Sequence, residues 1–318
     1  MSYFSMRTPG LVRHSSRLAA AVVAIVVAIV AGWLVARDVP PDGGDFAYYW
    51  RAAHALLSGK SPYDGSFIYP LPSILVVLPL VGLSAHDGVT VFMGVSVGLM
   101  TYALVRARGW ASLVIFLSPA FWDALYKLQW SPLLMAAALL PPLGFLASGK
   151  ATIGVAALAY QPTRWGIGGF IGVVAISFLL IPTWPLQWRS DIGAAPAPHT
   201  PPLLWLTGAM GVLGALRWRE PRGRLLLACT LIPASAQLYD HLLLWLATRD
   251  WRESLVLTVT AWLGFIALLA TAPHDLTKDA SGAQFSIAAS VYAVAGLMML
   301  IPTRSATVPV ETPSPTPH

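Results

Sequence analysis

Leu18-Ala19-Ala20-Ala21-Val22-Val23-Ala24-Ile25-Val26-Val27-Ala28-Ile29-Val30-Ala31-Gly32-Trp33-Leu34-Val35 is an apolar run with no charged side chain. Its length is close to the ~20 residues that a helix needs to cross a ~30 Å hydrocarbon core. Backbone groups in lipid find no water and must be satisfied within the segment, so such a run is a helix. A barrel strand would be a shorter stretch of alternating character, and no such pattern is evident. The run is longer than a typical apolar signal region, and Gly32-Trp33-Leu34-Val35-Ala36 is a poor small-residue cleavage site. It reads as a retained first helix.

The flanks set an orientation. Arg7, Arg13 and Arg17 precede the run with no acid nearby, which places residues 1–17 in the cytoplasm. The chain then emerges at Arg37 into a polar stretch, 37–70. That stretch carries Asp38, Asp42, Asp45 and Asp64 against Arg37, Arg51 and Lys60, as an outer loop should. Further apolar runs fall at about 71–84, 88–105, 110–122, 131–148, 166–182, 201–217, 224–248, 254–271 and 283–301. Basic clusters separate them at Arg106/Arg108, Lys150 to Arg164, Arg217 to Arg224, Arg249/Arg252 and Arg304. With these clusters on the cytoplasmic side, the turns Asp123–Trp130, Pro185–Pro202, Tyr239–His241 and His274–Gln284 lie outside.

The run 224–248 must then go out and return. Pro233, Ser235 and Gln237 suggest a broken pair of half-helices with Asp240 and His241 at the tip. Segments 71–84 and 151–160 are too short to span alone and fit re-entrant or interfacial positions. The expected fold is an all-α polytopic membrane bundle of about nine to eleven crossings over residues 18–302, with an amphipathic helix in the first outer loop. The Thr/Pro tail 303–318 lacks apolar periodicity and reads as a disordered cytoplasmic extension. No internal repeat is visible.

Composition agrees. Of 318 residues, 56% are hydrophobic and 11% charged, with mean hydropathy +0.66; a soluble domain carries about 25% charged residues. The net charge of +6 and pI near 9.6 do not indicate a nucleic-acid partner, because the basic residues sit in short clusters between apolar runs. Cys229 is the single cysteine, so no intrachain disulfide forms. Thirteen tryptophans suit a chain with two membrane interfaces.

The first outer loop is where chemistry concentrates. Gly43-Gly44 makes a turn, and Asp45 opens a helical stretch to about Ser58, closed by Gly59. Phe46, Tyr49/Trp50, Ala53 and Leu56/Leu57 recur three to four apart, a stripe suited to lying on the bilayer. Asp45, Tyr48, Arg51 and Ala55 fall on the other face. Asp45 has an ordinary reading as an N-cap and a functional one as a general base; the two are compatible. Asp240 and His241 form a second candidate, since ionisable groups within apolar runs tend to face cavities. Their ordinary reading is a snorkelling pair at a helix end. Asp123, Tyr126, Lys127, Gln129 and Trp130 form a third, which also reads as an interfacial turn. No His, Cys or carboxylate grouping has metal-ligand spacing, no phosphate-binding glycine loop occurs, and no cofactor is expected.

The stretch Asp45-Phe46-Ala47-Tyr48-Tyr49-Trp50-Arg51-Ala52-Ala53, followed by Leu56-Leu57-Ser58-Gly59, Pro62-Tyr63 and Tyr69-Pro70-Leu71-Pro72, resembles the polyprenyl-phosphate-mannose-dependent mannosyltransferases of the C-type glycosyltransferase superfamily. That family places an aspartate, an amphipathic helix, a Gly-x-x-Pro-Tyr turn and a Tyr-Pro-Pro helix start in its first outer loop. Gln129 with Ser131-Pro132 resembles the family's Gly-Gln motif, Lys150 its Lys-Pro, and Pro233 to His241 its late Pro-x-Ser segment with a histidine. Leu128 stands at the Gly, Ala151 at the Pro, and Leu71 interrupts the Pro-Pro.

The resemblance implies a polyprenyl-phosphate-linked sugar donor, carrying mannose or a related hexose or pentose, and a glycan or glycolipid acceptor outside the cell membrane. Asp45 would be the base. Tyr48, Tyr49, Arg51, Lys60, Tyr63, Tyr69, Lys127, Gln129, Asp240 and His241 would line the substrate site. Lys127, His241 and Arg51 would be the cations that meet the leaving phosphate. Two other functions use the same architecture: a transporter of a lipid-linked molecule, and a catalytically inactive assembly partner in an envelope pathway.

Overall fold

A computed structural model describes residues 9–40, 42–63, 67–193, 200–205, 207–235, 237–271 and 280–302. Residues 1–8, Asp64, most of the expected outer turn 274–284 and the tail 303–318 lie outside the described residues. The regular elements are helical, with one isolated bridge between Thr200 and Ala234. The α-helices are α1 (Pro9–Asp38), α2 (Phe46–Leu57), α3 (Leu71–Val77), α4 (Ala85–Arg108), α5 (Pro119–Tyr126), α6 (Ser131–Leu139), α7 (Ala151–Tyr160), α8 (Arg164–Leu180), α9 (Trp184–Gly193), α10 (Pro221–Leu231), α11 (Trp251–Thr271) and α12 (Ala280–Met298). Between them run 3-10 segments, the longest at Trp110–Leu117, Pro141–Lys150, Gly208–Arg217 and Leu238–Ala247.

Three described helical stretches are long and apolar enough to cross a membrane: Ser16–Asp38, Ala85–Arg108 and Pro141–Tyr160. The pair α8–α9, bent by 96° at its break, makes a fourth if it counts as one span. The chain is thus a helical, multi-pass membrane protein by length and composition. This is fewer than the about nine to eleven crossings expected from counting apolar runs. The difference has a local cause, because several runs are broken. Run 110–122 divides at Ser118, run 131–148 at Leu140, and run 224–248 between α10 and Leu238. Pro119, Pro141 and Pro233 stand at or next to these breaks, where a missing N–H and a ring clash end an α-helix. Segment 151–160, expected to be too short alone, continues from 141–150 into a helical stretch of 20 residues.

α1 and α4 pack through small residues. A Cβ at Gly94 would stand 2.9 Å from the Ala28 carbonyl, and one at Gly98 would stand 2.8 Å from the Ala28 Cβ. Gly94-x-x-x-Gly98 is the small-residue spacing that lets helix backbones approach closely in lipid. His86 Nε2 adds a hydrogen bond to the Ala36 carbonyl at 3.1 Å. Leu18, Val22, Ile25, Ile29 and Trp33 remain exposed on α1, an apolar face turned towards lipid.

α2 is amphipathic as expected, but its apolar face is not laid on the bilayer. Phe46, Ala47, Tyr49, Ala52 and Ala53 are buried, and the helix packs on α3 and α4. Phe46 meets Phe92 of α4 with ring centroids 5.6 Å apart, and Trp50 Nε1 donates to the Leu83 carbonyl at 3.0 Å. Aromatic partners within the chain outcompete the interface for this stripe. The loop after α2 is tied to α9, where Trp188 Nε1 donates to the Ile68 carbonyl at 2.9 Å.

Candidate functional site

The Gly43-Gly44 turn delivers Asp45. Both glycines have positive φ, 84° and 53°, a conformation that side chains with a Cβ resist. Gly43 also packs so closely on the start of α4 that a Cβ there would lie 3.0 Å from the Ala85 carbonyl oxygen. Asp45 occupies the N-cap position of α2 but makes no side-chain capping bond. Its Oδ2 instead accepts from Gln129 Nε2 at 3.1 Å.

Gln129 is the pivot of a buried polar chain. Its Nε2 also donates to the Lys127 carbonyl at 2.9 Å, and its Oε1 accepts from Lys150 Nζ at 3.2 Å. An amide with a carboxylate on one side and an ammonium on the other has one sensible orientation, nitrogen to Asp45 and oxygen to Lys150. Lys150 Nζ pairs with Asp240 Oδ1 at 2.5 Å, and Ser235 Oγ donates to Asp240 Oδ2. Gln129, Lys150 and Asp240 are all buried. Burial of this kind is tolerable because each charge meets an opposite charge or a hydrogen-bonding partner.

A second branch runs beside the first. Lys127 Nζ bonds Asp123 Oδ1 at 3.0 Å and Gln237 Oε1 at 2.6 Å. Asp123 Oδ2 accepts from the Tyr239 backbone N–H at 3.0 Å. The Tyr239 ring lies between the two lysines, 5.5 Å from Lys127 Nζ and 4.9 Å from Lys150 Nζ. Asp45 and Lys127 share the wall of a cavity of about 210 Å³ between the end of α1 and Leu125–Leu128. Desolvation raises the Asp45 pKa above the usual carboxylate value, outweighing the attraction of Lys150 and Lys127 and the Gln129 bond. Asp123 is raised for the same reason, against the pull of Lys127.

Leu128 belongs to the wall of the same cavity. It is the non-glycine residue with positive φ, 58°, among those described, and its side chain is buried. This left-handed turn aims Lys127 and Gln129 at the cavity and the core respectively. Gly149 does similar work for Lys150, since a Cβ there would collide with the Trp130 ring.

The remaining expected residues divide. Tyr49 is buried, its ring centre 4.3 Å from that of Tyr69 with the planes tilted by 34°, and edge-on to Trp130 at 5.5 Å. Tyr63 Oη donates to the Tyr69 carbonyl at 3.2 Å. These three tyrosines pack with Phe67 and Trp130 into an aromatic cluster. Tyr48 and Arg51 pair on the exposed face of α2, the guanidinium 5.2 Å from the ring centre. Lys60 is exposed beyond the end of α2; none of these three lines the cavity with Asp45.

His241 turns away from that cavity. It is buried, with Nε2 at 3.1 Å from the Ser235 carbonyl and Nδ1 at 3.2 Å from Tyr292 Oη. Its ring meets Trp205 edge-on at 5.4 Å. The histidine therefore stiffens the support behind Asp240. Lys150, counted above with the cytoplasmic basic cluster, is instead a buried member of the Asp45 network. A lone lysine between the apolar stretches 131–148 and 151–160 was the signal, because ionisable groups there are expensive unless partnered. Tyr239 and Ser235 carried no comparable signal. Among the described residues, no three His, Cys, Asp or Glu side chains form a metal-ligating group.

No protein-family model, curated protein or solved structure matches the chain.

Proposed function

We propose that the chain is a polytopic membrane glycosyltransferase that moves a sugar from a polyprenyl-phosphate donor to a glycan or glycolipid acceptor on the outer side of the cell membrane. The observation that carries this reading is the state of Asp45. Its carboxylate is not spent on capping α2, opens on a cavity beside Lys127, and is oriented by Gln129. A carboxylate held in this way, with its pKa above the usual range, is suited to take a proton. The C-type arrangement, about nine to eleven crossings and a cytoplasmic N-terminus belong to the same proposal. Leu128 adds support: its left-handed backbone is the conformation glycine favours, and the resembled motif has glycine at that position.

In this mechanism the acceptor hydroxyl gives its proton to Asp45 as its oxygen attacks the anomeric carbon. The bond from that carbon to the phosphate oxygen breaks, configuration inverts, and polyprenyl phosphate leaves with the electron pair. Lys127, on the cavity wall and paired with Asp123 at rest, is the cation assigned to the developing charge, and a fixed charge aimed at such a group is a large contribution to catalysis. His241 is not assigned this role, because its ring is enclosed by Trp205 and Tyr292. Confinement of a lipid-linked donor near the loop also favours the encounter.

A transport reading draws on one observation, the 96° break between α8 and α9, since discontinuous helices are common in transporters. Membranes containing the chain, given radiolabelled polyprenyl-phosphate sugars, distinguish the two. Label in new glycan or glycolipid product supports transfer. Label that crosses the bilayer still attached to its polyprenyl carrier supports transport.

A further inference from the structure

The two oxygens of Asp45 have different surroundings. Oδ2 accepts from Gln129 at 3.1 Å, and Oδ1 accepts no hydrogen bond from the described residues. One oxygen is therefore held while the other stays open to a proton. Gln129 does the holding, and it is itself held from behind.

The polar atoms of Gln129 and Lys150 are spent within the chain. The Gln129 amide nitrogen donates to Asp45 Oδ2 and to the Lys127 carbonyl. Lys150 Nζ donates to Gln129 Oε1 at 3.2 Å and to Asp240 Oδ1 at 2.5 Å, and lies 4.9 Å from the centre of the Tyr239 ring. Gln129, Lys150 and Asp240 are buried, whereas Lys127 is half-buried in the cavity wall. Lys150 is thus a cation that meets the base's partner and has no donor left for a substrate.

That contact has a consequence for Asp45. An ammonium on an amide oxygen makes the amide N–H a stronger donor, because hydrogen bonds in a chain polarise one another. The charge of Lys150 also attracts the Asp45 carboxylate through space. Both effects favour the ionised carboxylate and oppose its desolvation. A buried ammonium is tolerated only with a partner, and Asp240, which also accepts from Ser235, is that partner.

We propose that Lys150 is a positioning residue for Asp45: it acts through Gln129, with Asp240 as its buried counter-ion, to keep the Asp45 carboxylate aimed at the cavity and ionised. The role of Asp45 as base rests on the proposed transfer reaction; the effect of Lys150 on its ionisation does not.

Ionisation of Asp45 is followed by infrared spectroscopy on the full chain in nanodiscs, with carbon-13 at the aspartate carboxyls. The carboxylate band missing from Asp45→Asn belongs to Asp45, and its intensity against pH gives a midpoint. That midpoint should rise by about one pH unit in Gln129→Leu and by a similar amount in Lys150→Met. The double substitution of Lys150→Met with Asp240→Leu strands no buried charge and should show the rise as well. It decides the matter if Lys150→Met does not fold. A lysine with a merely structural role would leave the midpoint of the double variant in place. An unchanged or lower midpoint there, or a rise in Gln129→Leu alone, overturns the inference. Transfer assays on the same preparations test the base separately: wild type that transfers no sugar but shows these shifts contradicts the base and supports the positioning role.

Discussion

Asp45 and Gln129 lie 84 positions apart in the chain and meet through a hydrogen bond of 3.1 Å from the amide nitrogen to the carboxylate. The same amide accepts from Lys150, so the first loop, the segment after α5 and the start of α7 are joined through one side chain. The arrangement makes Asp45 a member of a polar network and not a helix cap.

Asp45→Ala separates these roles. Loss of a true N-cap costs about 0.5–2 kcal/mol. Because Asp45 makes no capping bond and the Gln129 nitrogen keeps the Lys127 carbonyl as a second acceptor, the substitution should cost only the Gln129 contact, about 0.5–1.5 kcal/mol. Transfer activity should fall by about a hundredfold or more, as for loss of a general base. Thermal unfolding and transfer assays on the same preparation check both.

If Asp45 is the base of the proposed transfer, acid should switch that transfer off at a higher pH than an ordinary carboxylate would. The base works ionised, and partial desolvation of the carboxylate against the cavity raises its pKa although the residue's outer edge is exposed, so activity declines as pH falls through that raised value. Lys127 opposes the shift by stabilising the ionised form. Lys127→Met should therefore move the acid limb of the pH–rate profile further towards neutral. A limb that moves to lower pH, or stays in place, contradicts the assignment.

The Lys150–Asp240 pair predicts non-additive stability. Lys150→Met alone strands a buried carboxylate, and Asp240→Leu alone strands a buried ammonium; each should cost about 3–5 kcal/mol. The double substitution removes both charges and should recover most of the loss. Unfolding of the three variants in one detergent forms the cycle, and additive losses would mean that the pair is not coupled.

Gly43→Ala tests how the turn places Asp45. The left-handed conformation costs a residue with a Cβ about 1–2 kcal/mol. Contact with the Ala85 carbonyl at 3.0 Å adds a shift of the turn itself. Both stability and transfer should decline, whereas Gly59→Ala, with nothing near its Cβ, should lose stability alone.

Much of this was legible in the residues. The run Leu18–Val35 declares a membrane helix by length and composition, and the glycine pair before Asp45 declares the turn. Asp45, Lys127, Gln129 and Asp240 were each visible as polar groups beside or within apolar stretches. Their convergence was not, because it depends on hydrogen bonds between segments with no common periodicity. Charge counting misplaced Lys150, since it scores a lysine by its neighbours in sequence and cannot register Asp240, 90 positions away. The apolar stripe of α2 has the same pattern whether it meets lipid or protein, and only the aromatic partners Phe92 and Trp130 decide between them. A count of apolar runs and a count of long helices differ where Pro119, Pro141 and Pro233 divide the runs into shorter helical pieces.

The central claim is that Asp45 is the base for sugar transfer. The most direct test compares wild type with Asp45→Asn, which keeps an oxygen acceptor for Gln129 but cannot take the proton. Both are expressed in membranes and supplied with radiolabelled polyprenyl-phosphate mannose and related hexose and pentose donors. Incorporation of label into glycan or glycolipid by wild type, lost in an equally stable Asp45→Asn, is the predicted result. Equal incorporation by the two, or none above background from well-folded wild type with any of the donors, would contradict it.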